Sequence, residues 1–296
     1  MSSVITPVSE YDGTITVPSN GDDLDADVVK DALQVIADRA LLAKDAMLGL
    51  LLGAESFEVA QGGTRTSFTL TLGNIRAAVL TCADGVTRCI SATGITITQT
   101  SVEGGGGDLT AAAQWWYVYL HSASGTLAYE ISTTAPTADL TWKTGSVGTK
   151  RYVGCLRTTA AGVPIAVRAQ GRRYFYRVTE LGATDTQVLN AGGATSYTDV
   201  DCSAFVPPHA RMIELDAYLA PNTAATTAIG GATLRKNGTA GAGVIGMNCG
   251  TGTQWPAMER ALWIEGDASR IVEYRVSTST GTDYPALTLY VYGFHE

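Results

Sequence analysis

The sequence predicts a mainly β protein: an N-terminal extended arm and one long coiled-coil-like helix, followed by two antiparallel β-sandwich domains. Three observations predict it. Apolar residues follow steps of three and four over one stretch near the N-terminus, and steps of two from there on. Turn residues interrupt the period-two runs at short intervals. The chain is also rich in Gly and poor in charge, with 33 Gly among 296 residues and only 16% charged residues. Charge at roughly 25% is usual for soluble domains, so hydroxyl-bearing strand faces and tight turns must cover much of the surface.

Residues 1–21 read as an extended anchoring arm. Thr14, Ile15, Thr16 and Val17 alternate, and Pro18 stops them before Ser19-Asn20-Gly21. Residues 22–53 read as an oligomerisation helix. Asp22, Asp23, Asp25 and Asp27 suit the positive end of a helix dipole, and Gly53 stands where a helix is expected to stop. Ala26, Val29, Leu33, Ile36, Ala40, Ala43, Met47 and Leu50 form a heptad seam. Its three alanines make a thin core, so partner helices would approach closely. The seam favours self-association over packing on the chain's own domain, because a lone terminal helix has little else to pack on.

Residues 54–182 read as a middle β domain. Phe68, Leu70 and Leu72 alternate with Ser67, Thr69 and Thr71, and Ile95-Thr96-Ile97-Thr98 alternates again. Trp115 to Leu120 is strongly β-prone, and Ser124-Gly125 turns it into a partner over Leu127 to Ser132. Trp115 and Trp116 point to opposite faces, so at least one is core. Further strands are expected over Tyr152 to Arg157, Ile165 to Ala169 and Arg173 to Val178.

Residues 183–296 read as a C-terminal, jelly-roll-like sandwich. Ile213, Leu215, Ala217 and Leu219 alternate with Met212, Glu214, Asp216 and Tyr218. Asn237-Gly238 is a hairpin-turn signal. Val272, Tyr274 and Val276 mark another strand. The last strand sets Leu287, Leu289 and Val291 on a core face, and Tyr290, Tyr292 and Phe294 on the other. With Trp255, in Gln254-Trp255-Pro256, those three are the candidate receptor or subunit contacts. Aromatic planes stack on sugar rings and anchor subunit interfaces.

Charge and motifs exclude several function classes. With 20 Lys+Arg against 28 Asp+Glu, the net charge of −8 repels phosphate, so no nucleic-acid partner is expected. No apolar run reaches the 18 or so residues of a membrane span, so no membrane insertion is expected. Met1-Ser2-Ser3-Val4 opens no secretory signal. Five Cys are too few, and odd in number, for a disulfide scaffold; they read as buried thiols, with Cys82 and Cys89 placed to face each other across a hairpin at Asp84-Gly85. His121, His209 and His295 have no His or Cys at ligand spacing, so no metal or cofactor is expected. Gly104 to Gly107 lacks the Lys-Ser/Thr pair of a phosphate loop. Asp23, Asp25 and Asp27 start like a calcium loop, but Val28 stands where Gly is needed. Asp199, Asp201, Glu265, Asp267 and Glu273 offer carboxylates for glycoside hydrolysis at no informative spacing. The expectation is a protein that is not an enzyme, with no catalytic residue.

Three segments together resemble bacteriophage tail-fibre and related virion fibre proteins. The first is Gly13-Thr14-Ile15-Thr16-Val17-Pro18-Ser19-Asn20-Gly21-Asp22-Asp23 with Ala32-Leu33-Gln34-Val35-Ile36-Ala37-Asp38-Arg39-Ala40. The second joins Trp116-Tyr117-Val118-Tyr119-Leu120, the stretch from Leu127 to Pro136, and Arg151-Tyr152-Val153-Gly154-Cys155-Leu156-Arg157-Thr158. The third is the ending from Leu287 to Phe294. The resemblance implies a homotrimeric fibre or spike of a virion, assembled in the bacterial host cytoplasm. Its N-terminal arm would dock on other virion proteins, and its β domains would meet a host surface glycan or protein. A head fibre or capsid decoration protein is the alternative, and a glycan depolymerase a weaker one, since the chain has no internal repeat.

Overall fold

In the computed structural model, the described residues are 56–60, 64, 68–73, 75–81, 87–92, 95–97, 109, 112–123, 126–176, 186–220, 230–240, 245–249, 257–278 and 284–296. They form eighteen strands and no helix. The expected fold class is corrected accordingly: the β-rich part agrees, but no long coiled-coil helix is seen. The segment expected to carry it, 22–53, lies outside the described residues, as does the arm over 1–21. From Ser56 onward the apolar period is two and never 3.6, which leaves the described chain no amphipathic helix to form.

The chain divides into two compact units between Pro164 and Ile165. The first holds β1 (Ser56–Val59), β2 (Leu70–Leu72), β3 (Ile75–Thr81), β4 (Thr87–Ala92), β5 (Ile95–Ile97), β6 (Trp115–Ala123), β7 (Thr126–Ser132) and β8 (Arg151–Arg157). The second holds β9 (Val167–Gln170), β10 (Arg173–Tyr176), β11 (Gln187–Gly192), β12 (Thr198–Asp201), β13 (Met212–Ala220), β14 (Gly230–Lys236), β15 (Ile245–Cys249), β16 (Ala257–Glu265), β17 (Ile271–Thr278) and β18 (Ala286–His295). The strands β9 and β10, expected in the middle domain, lie in the second unit, where β10 pairs with β18.

In the first unit β2 lies between β1 and β5, and β6 lies between β7 and β8, all antiparallel. Alternation sets the core here as expected: Leu70 and Leu72 are buried while Thr69 and Thr71 are exposed. Trp115 and Trp116 are both buried, so both faces of β6 are covered. Arg157 shields Trp115 by standing over its ring. Strands β3 and β4 pair antiparallel, and their register sets Cys89 opposite Val79. Cys82 lies outside the described residues.

The second unit is two antiparallel sheets. One runs β16-β13-β18-β10-β9, with β11 also pairing β18, and the other runs β12-β17-β14-β15. Ile213, Leu215, Ala217, Leu219, Leu287, Leu289 and Val291 of the first sheet are buried, as are Val272, Tyr274, Val276, Ala232 and Leu234 of the second. The sheets face each other closely enough that a Cβ built on Gly192 would lie 2.5 Å from the Tyr274 hydroxyl oxygen. The Asn237-Gly238 turn is present, with Gly238 at φ +71° following β14. Cys202 is buried, and burial, helped by the Asp201 charge, pushes its thiol pKa up to about 12.

Strand β18 organises this unit. One edge pairs with β13 along its whole length; the other pairs with β11 and then with β10. Val291 pairs with Leu215 and Gly293 with Glu214, so Tyr292 is one residue too many for β13. Such a β-bulge flips the alternation beyond it. Phe294 therefore shares the core face with Ile213, its partner across β13. It is buried and stacks on Tyr174 at 4.6 Å and 10°. This corrects the expectation that Phe294 lies opposite Leu287, Leu289 and Val291 as a contact residue.

Gly293→Ala tests this geometry. An added Cβ would lie 2.1 Å from the Tyr174 carbonyl oxygen, so β10 must shift and the Tyr174–Phe294 stack with it. A loss of about 1–3 kcal/mol in urea unfolding is expected, with a changed near-ultraviolet circular dichroism signal from the stacked rings.

Candidate functional site

The outward face of the β16-β13-β18-β10-β9 sheet carries the candidate site. One row crosses four strands: Phe175 on β10, Gly293 on β18, Glu214 on β13 and Trp263 on β16. Gly293 contributes no side chain to the middle of the row. Arg173, two residues before Phe175, uses that gap. Its guanidinium gives a fork of two hydrogen bonds to Glu214, from Nη2 to Oε1 at 2.7 Å and from Nε to Oε2 at 3.1 Å. It also stands over the rings of Phe175, at 4.2 Å from the centroid, and Trp263, at 4.7 Å.

Glu214 is fully buried by this arrangement, whereas 39% of the Arg173 side chain stays exposed. The pair is therefore asymmetric. Removing Arg173 strands a carboxylate away from water, while removing Glu214 leaves a guanidinium that water can still reach. Tyr292, the bulge residue, meets Phe175 edge-on at 6.0 Å and is half-buried. Tyr290 is half-buried on the same side, and Tyr218 on β13 is exposed. The result is a ring-bearing face with one cation fixed beside Phe175 and Trp263.

Of the expected contact residues, Tyr290 and Tyr292 are on this face, Phe294 is in the core, and Trp255 lies outside the described residues. The seam residues Ala26, Val29, Leu33, Ile36, Ala40, Ala43, Met47 and Leu50 also lie outside them. Sequence reading missed Arg173, Phe175, Glu214 and Trp263. The available signal was Gly293, a residue without a side chain in the middle of an aromatic strand, which often marks a bulge or a close approach.

Of the five carboxylates that glycoside hydrolysis could draw on, all but the exposed Asp199 are engaged elsewhere. Glu265 accepts from Lys236 Nζ at 2.8 Å, and Glu273 from Arg235 Nε at 2.5 Å. Asp201 accepts from the Ser203 amide, and Asp267 from the amides of Ser269 and Arg270 in a turn. The Ser269 side chain, followed by these amides, holds the Asp267 pKa below its ordinary value.

The first unit has its own charged cluster. Glu130 on β7 accepts from Lys143 Nζ at 2.6 Å and also from Lys150, so it ties the 133–150 segment to the sheet. Burial alone would raise the Glu130 pKa and is the largest single influence. The hydrogen bonds and charges of Lys143 and Lys150 together outweigh it and hold the carboxyl below its ordinary value. Nearby, burial keeps the His121 imidazole below its usual pKa, against the pull of Glu130.

No protein-family model matches the chain, and no curated protein does. Among solved structures the chain is similar to the crystal structure of the infectious bursal disease virus VP2 subviral particle. The identity is 14% over 82% of this chain and 71% of that one, with a TM-score of 0.20. A likeness at that score carries no argument about fold or function.

Two substitutions should separate these clusters. Arg173→Ala is expected to cost about 3 kcal/mol and Glu214→Gln only about 1 kcal/mol in urea unfolding; equal costs would contradict the asymmetry of the pair. Glu130 has a depressed folded-state pKa, so its stabilisation is complete above the ordinary carboxylate range and is lost as pH falls through the folded value. Glu130→Gln should therefore destabilise by about 3 kcal/mol at about pH 7, because Lys143 is left nearly buried without a counter-charge. That difference should shrink as pH falls through the depressed folded-state value, below which the native carboxyl is protonated too.

Proposed function

We propose that the chain is a bacteriophage virion attachment protein, a homotrimeric fibre or spike that presents β units to the host surface and catalyses no reaction. The observation that carries this reading is the ring-bearing face. Phe175, Trp263, Tyr290, Tyr292 and Tyr218 come from four strands onto one side of a well-buried sandwich, with the guanidinium of Arg173 fixed beside Phe175 and Trp263. Aromatic planes stack on the C–H faces of sugars, and tyrosine hydroxyls add directional hydrogen bonds. The resemblance of the three quoted segments to virion fibre proteins supports the same reading. Weak single contacts suffice in such a protein, since three copies per fibre and several fibres per particle raise the effective affinity without new contacts. The rings are positioned by strands rather than by loops, which keeps a repeated contact surface rigid from copy to copy.

Adsorption of particles to host cells tests the reading. Particles lacking the protein should fail to adsorb, and particles carrying Trp263→Ala with Tyr292→Ala should adsorb at least about tenfold more slowly. Normal adsorption by particles lacking the protein overturns the attachment reading; if such particles instead release their genome more readily, a shell-stabilising role replaces it.

A further inference from the structure

The second sheet of the same unit carries a different arrangement on its own outward face. Arg235 on β14 stands over the Tyr197 ring with its guanidinium carbon 3.5 Å from the centroid, and Arg275 on β17 stands 4.8 Å from it. The two arginines differ in their charge balance. Arg235 donates from Nε to Glu273 at 2.5 Å, and both side chains are largely buried. Arg275 is exposed and has no carboxylate partner among the described residues. Its one described contact is the tyrosine ring.

The register shows what surrounds Arg275. Thr233 lies opposite it on β14, with Gly246 beyond on β15; Ser277 and Gly231 pair in the next row on the same face. Two glycines leave the sheet surface low beside Arg275, and two hydroxyl-bearing residues border it. On the other flank Asp199, exposed, lies opposite Glu273.

We propose that Arg275, seated on Tyr197, is an anion site that takes the carboxylate of an acidic cell-surface sugar. The planar guanidinium fork matches a carboxylate with two parallel hydrogen bonds. Stacking on the ring holds the side chain in place before the ligand arrives, which lowers the ordering cost of binding. The charge balance tolerates at most a single negative charge: Arg235 is paired with Glu273, and Arg275, without a carboxylate partner among the described residues, shares its face with the exposed Asp199. A doubly charged phosphate would set both its charges beside Asp199 and Glu273, whereas a uronic acid spaces one carboxylate per sugar ring. The low, hydroxyl-bordered strip beside Arg275 fits a sugar ring, and Asp199 is an acceptor for sugar hydroxyls. From the attachment reading this takes only the idea that the ligand is a surface polymer; the site itself is on the opposite sheet from the ring-bearing face.

Isothermal titration of the full chain with a tetramer of galacturonic acid, and with its methyl ester, tests the proposal. The ester keeps the skeleton and removes the charge. The acid is expected to bind and the ester not, with binding weakened by added salt. Arg275→Ala should lose at least about tenfold in affinity, Arg275→Lys should recover part of it, and Arg211→Ala, which removes an exposed arginine elsewhere, should leave it unchanged. Equal binding of acid and ester, wild-type affinity in Arg275→Ala, or no binding of either sugar overturns the site. Equal binding of a glutamate tetramer overturns the sugar assignment in favour of an acidic peptide. None of these failures touches the attachment reading, which Trp263→Ala with Tyr292→Ala tests by adsorption.

Discussion

The bulge at Tyr292 is the constraint on which the second unit depends. Strand β18 must serve β13 on one edge and both β10 and β11 on the other. An unbroken alternation would point Gly293 into the core and Phe294 out of it. The extra residue exchanges them. Phe294 then completes an aromatic cluster with Tyr174 and Tyr176, the latter edge-on to Phe205 at 5.8 Å and donating its hydroxyl to the Phe205 carbonyl at 2.6 Å. Gly293 moves to the outward face, where its missing side chain opens the path from Arg173 to Glu214. One inserted residue therefore fills the core and shapes the candidate site together.

Burying Glu214 is expensive unless its partner is well placed. The surrounding rings explain how the pair is kept. Phe175 and Trp263 hold the guanidinium from its faces while its edge binds the carboxylate. A guanidinium that water still reaches gains about 0.5–1 kcal/mol over an aromatic face, which offsets part of the desolvation cost. The gain is geometric as well as energetic. A fork fixed at both ends holds β10 and β13 in register across the intervening β18, and so fixes the spacing of the rings themselves.

Much of the β architecture was legible because it is written in period two. Ile213 to Leu219, Val272 to Val276 and Leu287 to Val291 have their buried residues where alternation puts them. The Asn237-Gly238 turn was legible because only residues tolerant of positive φ suit it. What alternation cannot reveal is its own interruption. The bulge changes parity with no change of residue type, so Phe294 read as a surface ring. The Arg173–Glu214 and Glu130–Lys143 pairs were hidden for another reason. Their partners are 41 and 13 residues apart, and only strand pairing brings them together. Grouping β9 and β10 with the C-terminal strands likewise follows from pairing with β18, a contact over more than a hundred residues that no local pattern encodes.

The low charge content takes on a structural meaning from these arrangements. In a chain with only 20 Lys+Arg, placing several of them over rings or against buried carboxylates is a large commitment. Arg151 stands over Trp142, Arg157 over Trp115, Arg173 over two rings and Arg235 over Tyr197. Each guanidinium treated this way gives up solvation and side-chain freedom, and becomes a rigid part of a sheet face rather than a mobile surface charge. A face built so presents the same shape in every copy, with little net field to attract unrelated anions. Under the proposed attachment role rigidity matters more than charge, because each added copy helps only if its contact points fall where the first copy's did. Arg275, ring-seated and without a carboxylate partner among the described residues, is a place where that economy leaves a positive charge available.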